Sequence, residues 1–225
     1  MKIKGAIFDM DGTIVDSLVL WDVLWKELGN RYLDSPDFKP TEEDDRTMRT
    51  MLLLDSMKMT HEKYKLGQSG EELYGIACEI IMDFYENQLE MKAGARELLD
   101  YLYENGVRMC IASASVPNVI EAAMKRCELS KYFVGVISCA DVGCGKDRPD
   151  VFLRSLELLG TSIDDTWVLE DSYVAVCTAK KAGFRTVGVY EKCNFCQDIL
   201  EQNSDVYVSE RDDLTKVIDY FENNK

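Results

Sequence analysis

The chain has 225 residues, and its content of 46% hydrophobic and 30% charged residues is typical of a globular protein that buries a sizeable core. The 41 acidic residues outnumber the 26 basic ones, and the resulting net charge of −15 argues against a nucleic-acid-binding surface. No apolar run approaches the roughly 20 residues of a membrane-spanning helix and no targeting signal is visible, so we expect a cytoplasmic protein with no membrane partner.

The segment 17–91 is predicted to be entirely helical. An apolar pattern rich in aromatic residues predicts a helix over 18–33, and a turn-rich break follows it. A second helix is predicted to begin at Thr41 and to continue to about Met57. Ser69 predicts the N-cap of a further long helix, because a glutamate follows it three residues later.

From Gly94 onwards the pattern changes, and strands alternate with helices. The strands are predicted over 107–113, 133–138, 166–170, 185–189 and 206–208. The helices are predicted over 95–105, 116–127, 150–159, 173–182 and 212–221. Together with a first strand over 6–8, this alternation predicts right-handed βαβ units and an α/β fold with a doubly wound parallel sheet.

The helical block interrupts the α/β pattern, as an inserted domain would. We therefore predict a core α/β domain of residues 1–16 and 92–225 and an all-helical inserted domain of residues 17–91. The two connections between them are the expected hinges of an opening and closing motion.

The most informative stretch lies at the start of the chain, where the first strand runs directly into two aspartates. Asp9 and Asp11 stand two residues apart at the strand end, and Gly12 then breaks the strand. Ligands bind at this edge of open parallel sheets, and two buried carboxylates are costly unless a cation lies between them. The pattern therefore indicates a Mg²⁺ site, with a plain strand followed by an Asp-Gly turn as the alternative.

The sequence FDMDGTIVDS resembles the first motif, D-x-D-x-[TV], of the haloacid dehalogenase (HAD) superfamily of phosphohydrolases. The resemblance implies that Asp9 is a nucleophile that forms an aspartyl-phosphate. It also implies that Asp11 is the general acid for the leaving oxygen and later the base that activates water.

Three further polar stretches follow strands or precede helices. Ser113 ends a buried strand and suits a phosphoryl oxygen, although a serine there is more often a helix cap. Lys146 follows a glycine and precedes a helix, where it would act as a cation on the transferring group, with a surface lysine as the alternative. Glu170 and Asp171 end a third apolar strand and suit Mg²⁺ with Asp9, although acids are also common at helix N-termini.

These stretches match the second, third and fourth HAD motifs in the correct order, so the resemblance covers essentially the whole chain and makes residues 17–91 resemble a helical cap. It implies that Mg²⁺ is held by Asp9, the backbone carbonyl of Asp11, and Asp171, with Glu170 contributing directly or through water. It further implies a phosphate-binding set made up of Met10, Asp11, Ser113, Ala114 and Lys146.

Within the superfamily the chain resembles the β-phosphoglucomutase-like and phosphoglycolate phosphatase-like branch. Trp21 stands where the mutases have a histidine, and Leu52, Leu53 and Leu54 stand where a loop would present an arginine to a second phosphate. The resemblance therefore implies a Mg²⁺-dependent phosphatase that acts on a small phosphorylated metabolite. A phosphosugar mutase and a catalytically silent phospho-ligand binding protein are the alternatives, and we expect a monomer.

Eight cysteines and one histidine narrow the possible chemistry further. The cysteines lie mostly in apolar segments, which favours reduced, buried thiols in the absence of a secretion signal. Cys193 and Cys196 have the spacing of metal ligands, but no second pair lies near them in the sequence, so zinc is disfavoured. His61 is the single histidine, which leaves carboxylates and lysine as the catalytic groups.

Overall fold

The computed structural model describes residues 3–224, and it divides the chain into two compact units. The first unit runs to Ser17 and resumes at Leu89, and the second unit is Leu18–Gln88. Residues 1, 2 and 225 of the predicted core domain lie outside the described residues. Within residues 3–224, no helix combines the length and the hydrophobicity that crossing a membrane requires.

The second unit is built from four α-helices and one turn of π-helix. The helices are α1 (Leu20–Leu33), α2 (Glu42–Met48), α3 (Leu53–Tyr64) and α4 (Gly70–Asp83), and the π-helix is Phe84–Gln88. A core of its own holds this unit together, with Trp25, Leu28, Met57 and Leu73 among its fully buried side chains. The predicted N-cap is confirmed, because the Ser69 hydroxyl accepts the N–H of Glu72 at 3.1 Å.

The predicted single helix from Thr41 to about Met57 is wrong, because α2 ends at Met48 and α3 begins at Leu53. The Thr50 hydroxyl donates to the carbonyl of Thr47 at 2.8 Å, and Leu52 has extended backbone angles. Threonine side chains that bond to nearby backbone compete with helix continuation. The Ser56 hydroxyl then donates to the terminal carbonyl of Met48 at 2.7 Å, which satisfies the end of α2 from the start of α3.

The first unit contains a six-stranded sheet in which all strands are parallel and the order is β3-β2-β1-β4-β5-β6. The strands are β1 (Gly5–Phe8), β2 (Arg108–Ser113), β3 (Phe133–Ser138), β4 (Thr166–Glu170), β5 (Arg185–Val189) and β6 (Val206–Val208). The predicted α/β class with a doubly wound parallel sheet is confirmed. β1 and β4 are buried along their whole length, which explains why they are almost continuously apolar.

Seven α-helices and one short 3₁₀-helix, Ile163–Asp165, accompany the sheet in the first unit of the described chain. The α-helices are α5 (Ala95–Glu104), α6 (Pro117–Arg126), α7 (Cys139–Val142), α8 (Asp150–Leu159), α9 (Tyr173–Lys181), α10 (Gln197–Asn203) and α11 (Thr215–Asn223). The short helices α7 and α10 were not predicted from the sequence. Side chains from α8 and α9, including Phe152, Val151 and Ala179, pack on the central strands and form a continuous buried core.

Candidate active site

At the centre of the sheet, the predicted acidic residues at the ends of β1 and β4 lie side by side. The strand order reverses between β1 and β4, and crevices of this kind at the carboxyl ends of parallel strands are where ligands bind in α/β sheets. Phe8 pairs with Leu169, and the N–H of Asp9 donates to the carbonyl of Leu169 at 2.9 Å. This register places Asp9, which follows β1, beside Glu170, which ends β4.

Asp9, Glu170 and Asp171 form a buried acidic cluster. One carboxylate oxygen of each lies within 4.8 Å of the others, and at most 7% of any of these residues is exposed. Burial, together with the charges of Glu170 and Asp11, raises the pKa of Asp9 to about 8 even though Lys146 opposes the shift. Burial and the neighbouring carboxylates likewise raise the pKa of Asp171 well above its ordinary value.

Lys146 reaches into the acidic cluster from the loop between α7 and α8. Its Nζ donates to Asp9 Oδ1 and to Glu170 Oε1, and only 12% of its side chain is exposed. Burial alone would lower the pKa of this lysine, but the carboxylates of Asp9 and Glu170 outweigh it and raise the pKa above its ordinary value. Lys146 is therefore a fixed positive charge at the nucleophile position predicted from the sequence.

The cluster suits a divalent cation. One lysine accompanies three clustered carboxylates, so the buried groups carry a net negative charge when all three carboxylates are ionised. Their donor atoms are all carboxylate oxygens, the ligands that hard cations such as Mg²⁺ and Ca²⁺ prefer. Within residues 3–224 no other group of three histidine, cysteine or acidic side chains comes this close together, and Cys193 and Cys196 belong to no such group.

We expect the metal-free protein to lose thermal stability as the pH rises from about 5 to about 8. An unfolded aspartate titrates near about 4, whereas folded Asp9 keeps its proton up to about pH 8. Between these values the folded state binds more protons than the unfolded state, so the free energy of unfolding falls as the pH rises. Thermal melts in EDTA should show a steeper fall for the wild-type protein than for Asp9→Asn. Equal slopes would contradict the raised pKa.

Asp11 lies on the tight turn that follows β1. Gly12 has φ +78°, a conformation that glycine adopts without strain, and the Met10 carbonyl accepts the N–H groups of Ile14 and Val15 at 3.0 and 3.1 Å. This turn leaves the Asp11 side chain partly exposed, whereas Asp9 is buried. The two aspartates of the first motif therefore occupy different environments.

The turn after β2 contacts Asp11 through a residue that the sequence analysis did not select. The Ser115 hydroxyl donates to Asp11 Oδ2 at 2.7 Å, and the N–H of Ser115 donates to the hydroxyl of Ser113 at 3.0 Å. Ser113 is fully buried at the end of β2, and Ala114 beside it is exposed. The structure thus brings the turns after β1 and β2 into direct contact.

The family model described as haloacid dehalogenase-like hydrolase matches residues 6–189, which is most of the chain. The chain belongs to the haloacid dehalogenase-like hydrolases. The predicted superfamily and its class, a phosphohydrolase, are thereby confirmed. The matched segment contains all four motif positions, from Asp9 to Asp171.

Relatives with named activities cover most of this HAD-like chain. A phosphorylated carbohydrates phosphatase from Thermotoga maritima is 26% identical over 200 residues, which span 88% of this chain and 90% of the relative. Hexitol phosphatase A from Escherichia coli K12 is 26% identical over 194 residues, which span 84% of each chain. A crystal structure of a candidate β-phosphoglucomutase from Thermotoga maritima superposes with a TM-score of 0.83 at 23% identity, covering 98% and 99% of the two chains. This last likeness shows that the fold is the same.

Two residues of this HAD-like site were missed by the sequence analysis. Ser115 carried a weak signal, since it lies two residues after the predicted Ser113. Asn194, whose side-chain amide donates to Asp171 Oδ2 at 2.6 Å, carried none. Asn194 lies between Cys193 and Cys196. No sequence motif indicates that it contacts Asp171, which lies 23 positions earlier in the chain.

Proposed function

We propose that this chain is a Mg²⁺-dependent phosphatase that hydrolyses a small phosphomonoester through an aspartyl-phosphate on Asp9. The observation that carries the proposal is the position of Asp9 at the carboxyl end of β1, buried within an acidic cluster and paired with Lys146. This set supplies a nucleophile, a fixed cation and a metal-binding group in one place, as phosphoryl transfer requires.

In the proposed first step, a carboxylate oxygen of Asp9 attacks the phosphorus and the substrate oxygen leaves. Lys146 lies against Asp9 Oδ1 and would offset the negative charge that the phosphoryl oxygens bring into the site. The Ser113 hydroxyl accepts the N–H of Ser115 and still has its own proton to donate to a phosphoryl oxygen. The backbone around Met10, Asp11 and Ala114 would complete the phosphate-binding set.

Asp11 is the proposed general acid and base. It would give a proton to the leaving oxygen and later take one from the water that hydrolyses the aspartyl-phosphate. Its partly exposed side chain can face the leaving group, whereas buried Asp9 faces the phosphorus. The hydrogen bond from Ser115 to Oδ2 helps to fix the orientation of the Asp11 carboxyl group.

Asp9, Glu170, Asp171 and the backbone carbonyl of Asp11 would hold the Mg²⁺. When bound, the ion would neutralise the clustered carboxylates and polarise the phosphoryl group. The raised pKa of Asp9 supports this assignment, because a carboxyl that keeps its proton up to about pH 8 needs a further cation to act as a nucleophile near neutral pH.

The helical unit favours a phosphatase over a mutase. A mutase needs a second anion site for its bisphosphorylated intermediate, and Arg46 and Arg49, which precede Leu52 in the sequence, are the candidate cations for that role. Arg49 is engaged already, with its guanidinium 2.9 Å from Asp45 and 3.7 Å from Asp22, and 16% of its side chain is exposed. The guanidinium carbon of Arg49 also lies 5.8 Å from the centre of the Trp21 ring, so the guanidinium already interacts with two carboxylates and an aromatic ring.

Trp21 takes part in packing within the same unit. Its ring lies 5.5 Å from that of Trp25, whose Nε1 donates to Asp45 at 2.6 Å. Indole does not titrate, so Trp21 cannot relay a proton as a histidine would.

We propose that Leu18–Gln88 acts as a cap that excludes water during phosphoryl transfer. Cytoplasmic location and a monomeric state stay predictions.

A panel of phosphorylated sugars, hexitol phosphates and sugar 1-phosphates, assayed for released phosphate, tests the function. Phosphatases of carbohydrate phosphates and hexitol phosphates are among the relatives, which makes these compounds the first to try. We expect Mg²⁺-dependent phosphate release from at least one compound and complete loss of release after EDTA treatment. Added Ca²⁺ should inhibit, because its larger and looser coordination shell misplaces the nucleophile.

The same panel separates the alternatives. Conversion of β-glucose 1-phosphate to glucose 6-phosphate with a bisphosphate primer and little free phosphate would identify a mutase. Tight binding of a phosphorylated compound with no turnover in Mg²⁺ would identify a silent binding protein. Full phosphate release after exhaustive EDTA treatment would contradict the metal requirement.

A further inference from the structure

The loop between β5 and α10 approaches the acidic cluster through one side chain, that of Asn194. Its Nδ2 donates to Asp171 Oδ2 at 2.6 Å and to the backbone carbonyl of Asp171 at 3.2 Å. A side-chain amide nitrogen carries two protons, so one group can make both bonds. Asn194 therefore fixes the carboxylate of Asp171 relative to its own backbone.

Asn194 is itself held by a network within the loop. Its N–H donates to the carbonyl of Glu191 at 2.9 Å, and the same carbonyl accepts the amide of Gln197 at 3.0 Å. The Glu191 side chain is 3% exposed and pairs with Lys92 at 2.8 Å, while its other oxygen accepts the N–H of Cys193 at 3.1 Å. The amide that contacts Asp171 is thus pre-positioned by a buried ion pair and three hydrogen bonds.

An uncharged donor suits this position. A lysine or arginine beside Asp171 would stabilise the ionised carboxylate but would also compete with a metal cation for it. An amide orients the carboxylate and leaves its negative charge available. The Asp171 carboxylate has a second oxygen. The hydrogen bond from Asn194 and the closeness of the Asp9 and Glu170 carboxylates together restrict where that oxygen can point.

We propose that Asn194 is a positioning residue for the divalent metal, acting by orienting the carboxylate of Asp171. The inference rests on the proposed function, because it assigns Asp171 as a metal ligand. Partners that hydrogen-bond to metal-ligating carboxylates typically contribute about 10–100-fold in metal affinity. Asn194 is the residue outside the predicted motifs that makes this contact.

Isothermal titration calorimetry of Mg²⁺ with the 225-residue protein tests the proposal without relying on activity. We expect Asn194→Ala to raise the dissociation constant for Mg²⁺ by about 10–100-fold. Asn194→Leu keeps a similar volume and removes both donors, and it should show the same increase. It replaces the alanine variant in the experiment if that variant does not fold. Turnover of either variant should recover towards the wild-type kcat at saturating Mg²⁺, since the ligands themselves remain.

Asn203→Ala is the matched control. The amide of Asn203 donates to the carbonyl of Ile199 within α10, so its removal should leave Mg²⁺ binding unchanged. A lower melting temperature of the Asn194 variants with an unchanged Mg²⁺ dissociation constant would show a purely structural role and overturn the proposal. Failure of the wild-type protein to bind Mg²⁺ would instead overturn the metal assignment of the proposed function.

Discussion

Replacing Asp9 with asparagine is expected to lower turnover by at least about 1,000-fold while the fold is retained, because the amide cannot form an aspartyl-phosphate. Asparagine has nearly the same shape as aspartate, and the Asp9 N–H can still donate to the carbonyl of Leu169. Removing a buried carboxyl also removes one of the three acids that crowd the cluster. Phosphate release under saturating substrate and Mg²⁺ measures the effect, and circular dichroism checks the fold.

Asp164→Asn is the control for this substitution. Asp164 is exposed and lies just before β4, at the opposite end of that strand from Glu170. The same chemical change there should leave turnover unaltered. Near wild-type phosphate release by Asp9→Asn would show that another residue is the nucleophile.

Replacing Lys146 with methionine is expected to lower kcat by about 100–1,000-fold, the usual effect of removing one pre-organised group that stabilises developing charge. Methionine keeps much of the length and volume of the side chain but leaves Asp9 and Glu170 without their shared cation. Two buried carboxylates in one site then repel each other, so the fall in melting temperature between pH 6 and pH 8 should be larger for the variant than for the wild-type protein.

Steady-state kinetics and melting curves in EDTA measure both effects. Lys131→Met is the control, because 60% of the Lys131 side chain is exposed and its partner Asp100 lies on the surface helix α5. That variant should match the wild-type protein in kcat. A Lys146→Met protein that keeps more than half of its turnover would remove Lys146 from the catalytic set.

The fold and part of the candidate site could be predicted because the ends of apolar strands can be recognised in the sequence. Asp9, Ser113 and Glu170 each lie at or directly after an apolar strand, and all strands of a parallel sheet end at the same edge. Their convergence therefore follows once the sheet is known to be parallel, as the alternation of strands and helices indicates. The bounds of β3, β4, β5 and β6 agree with the predicted ones for the same reason.

The break between α2 and α3 could not be read in this way. Residues 41–57 carry enough apolar and helix-forming side chains to support one helix, and the break depends on side-chain hydrogen bonds to backbone by Thr50 and Ser56. These bonds offer the backbone an alternative to helical hydrogen bonds, so the sequence pattern alone does not decide between one helix and two.

The sequence by itself determined the α/β class and the acidic strand ends, because hydrophobic periodicity and strand-end position are local properties of the chain. Only the tertiary structure decided which side chains fix those acids. Ser115 meets Asp11 across 104 residues, and Asn194 meets Asp171 across 23. Such contacts depend on the packing of loops that carry no periodic pattern, and the distances between those loops are set by the sheet.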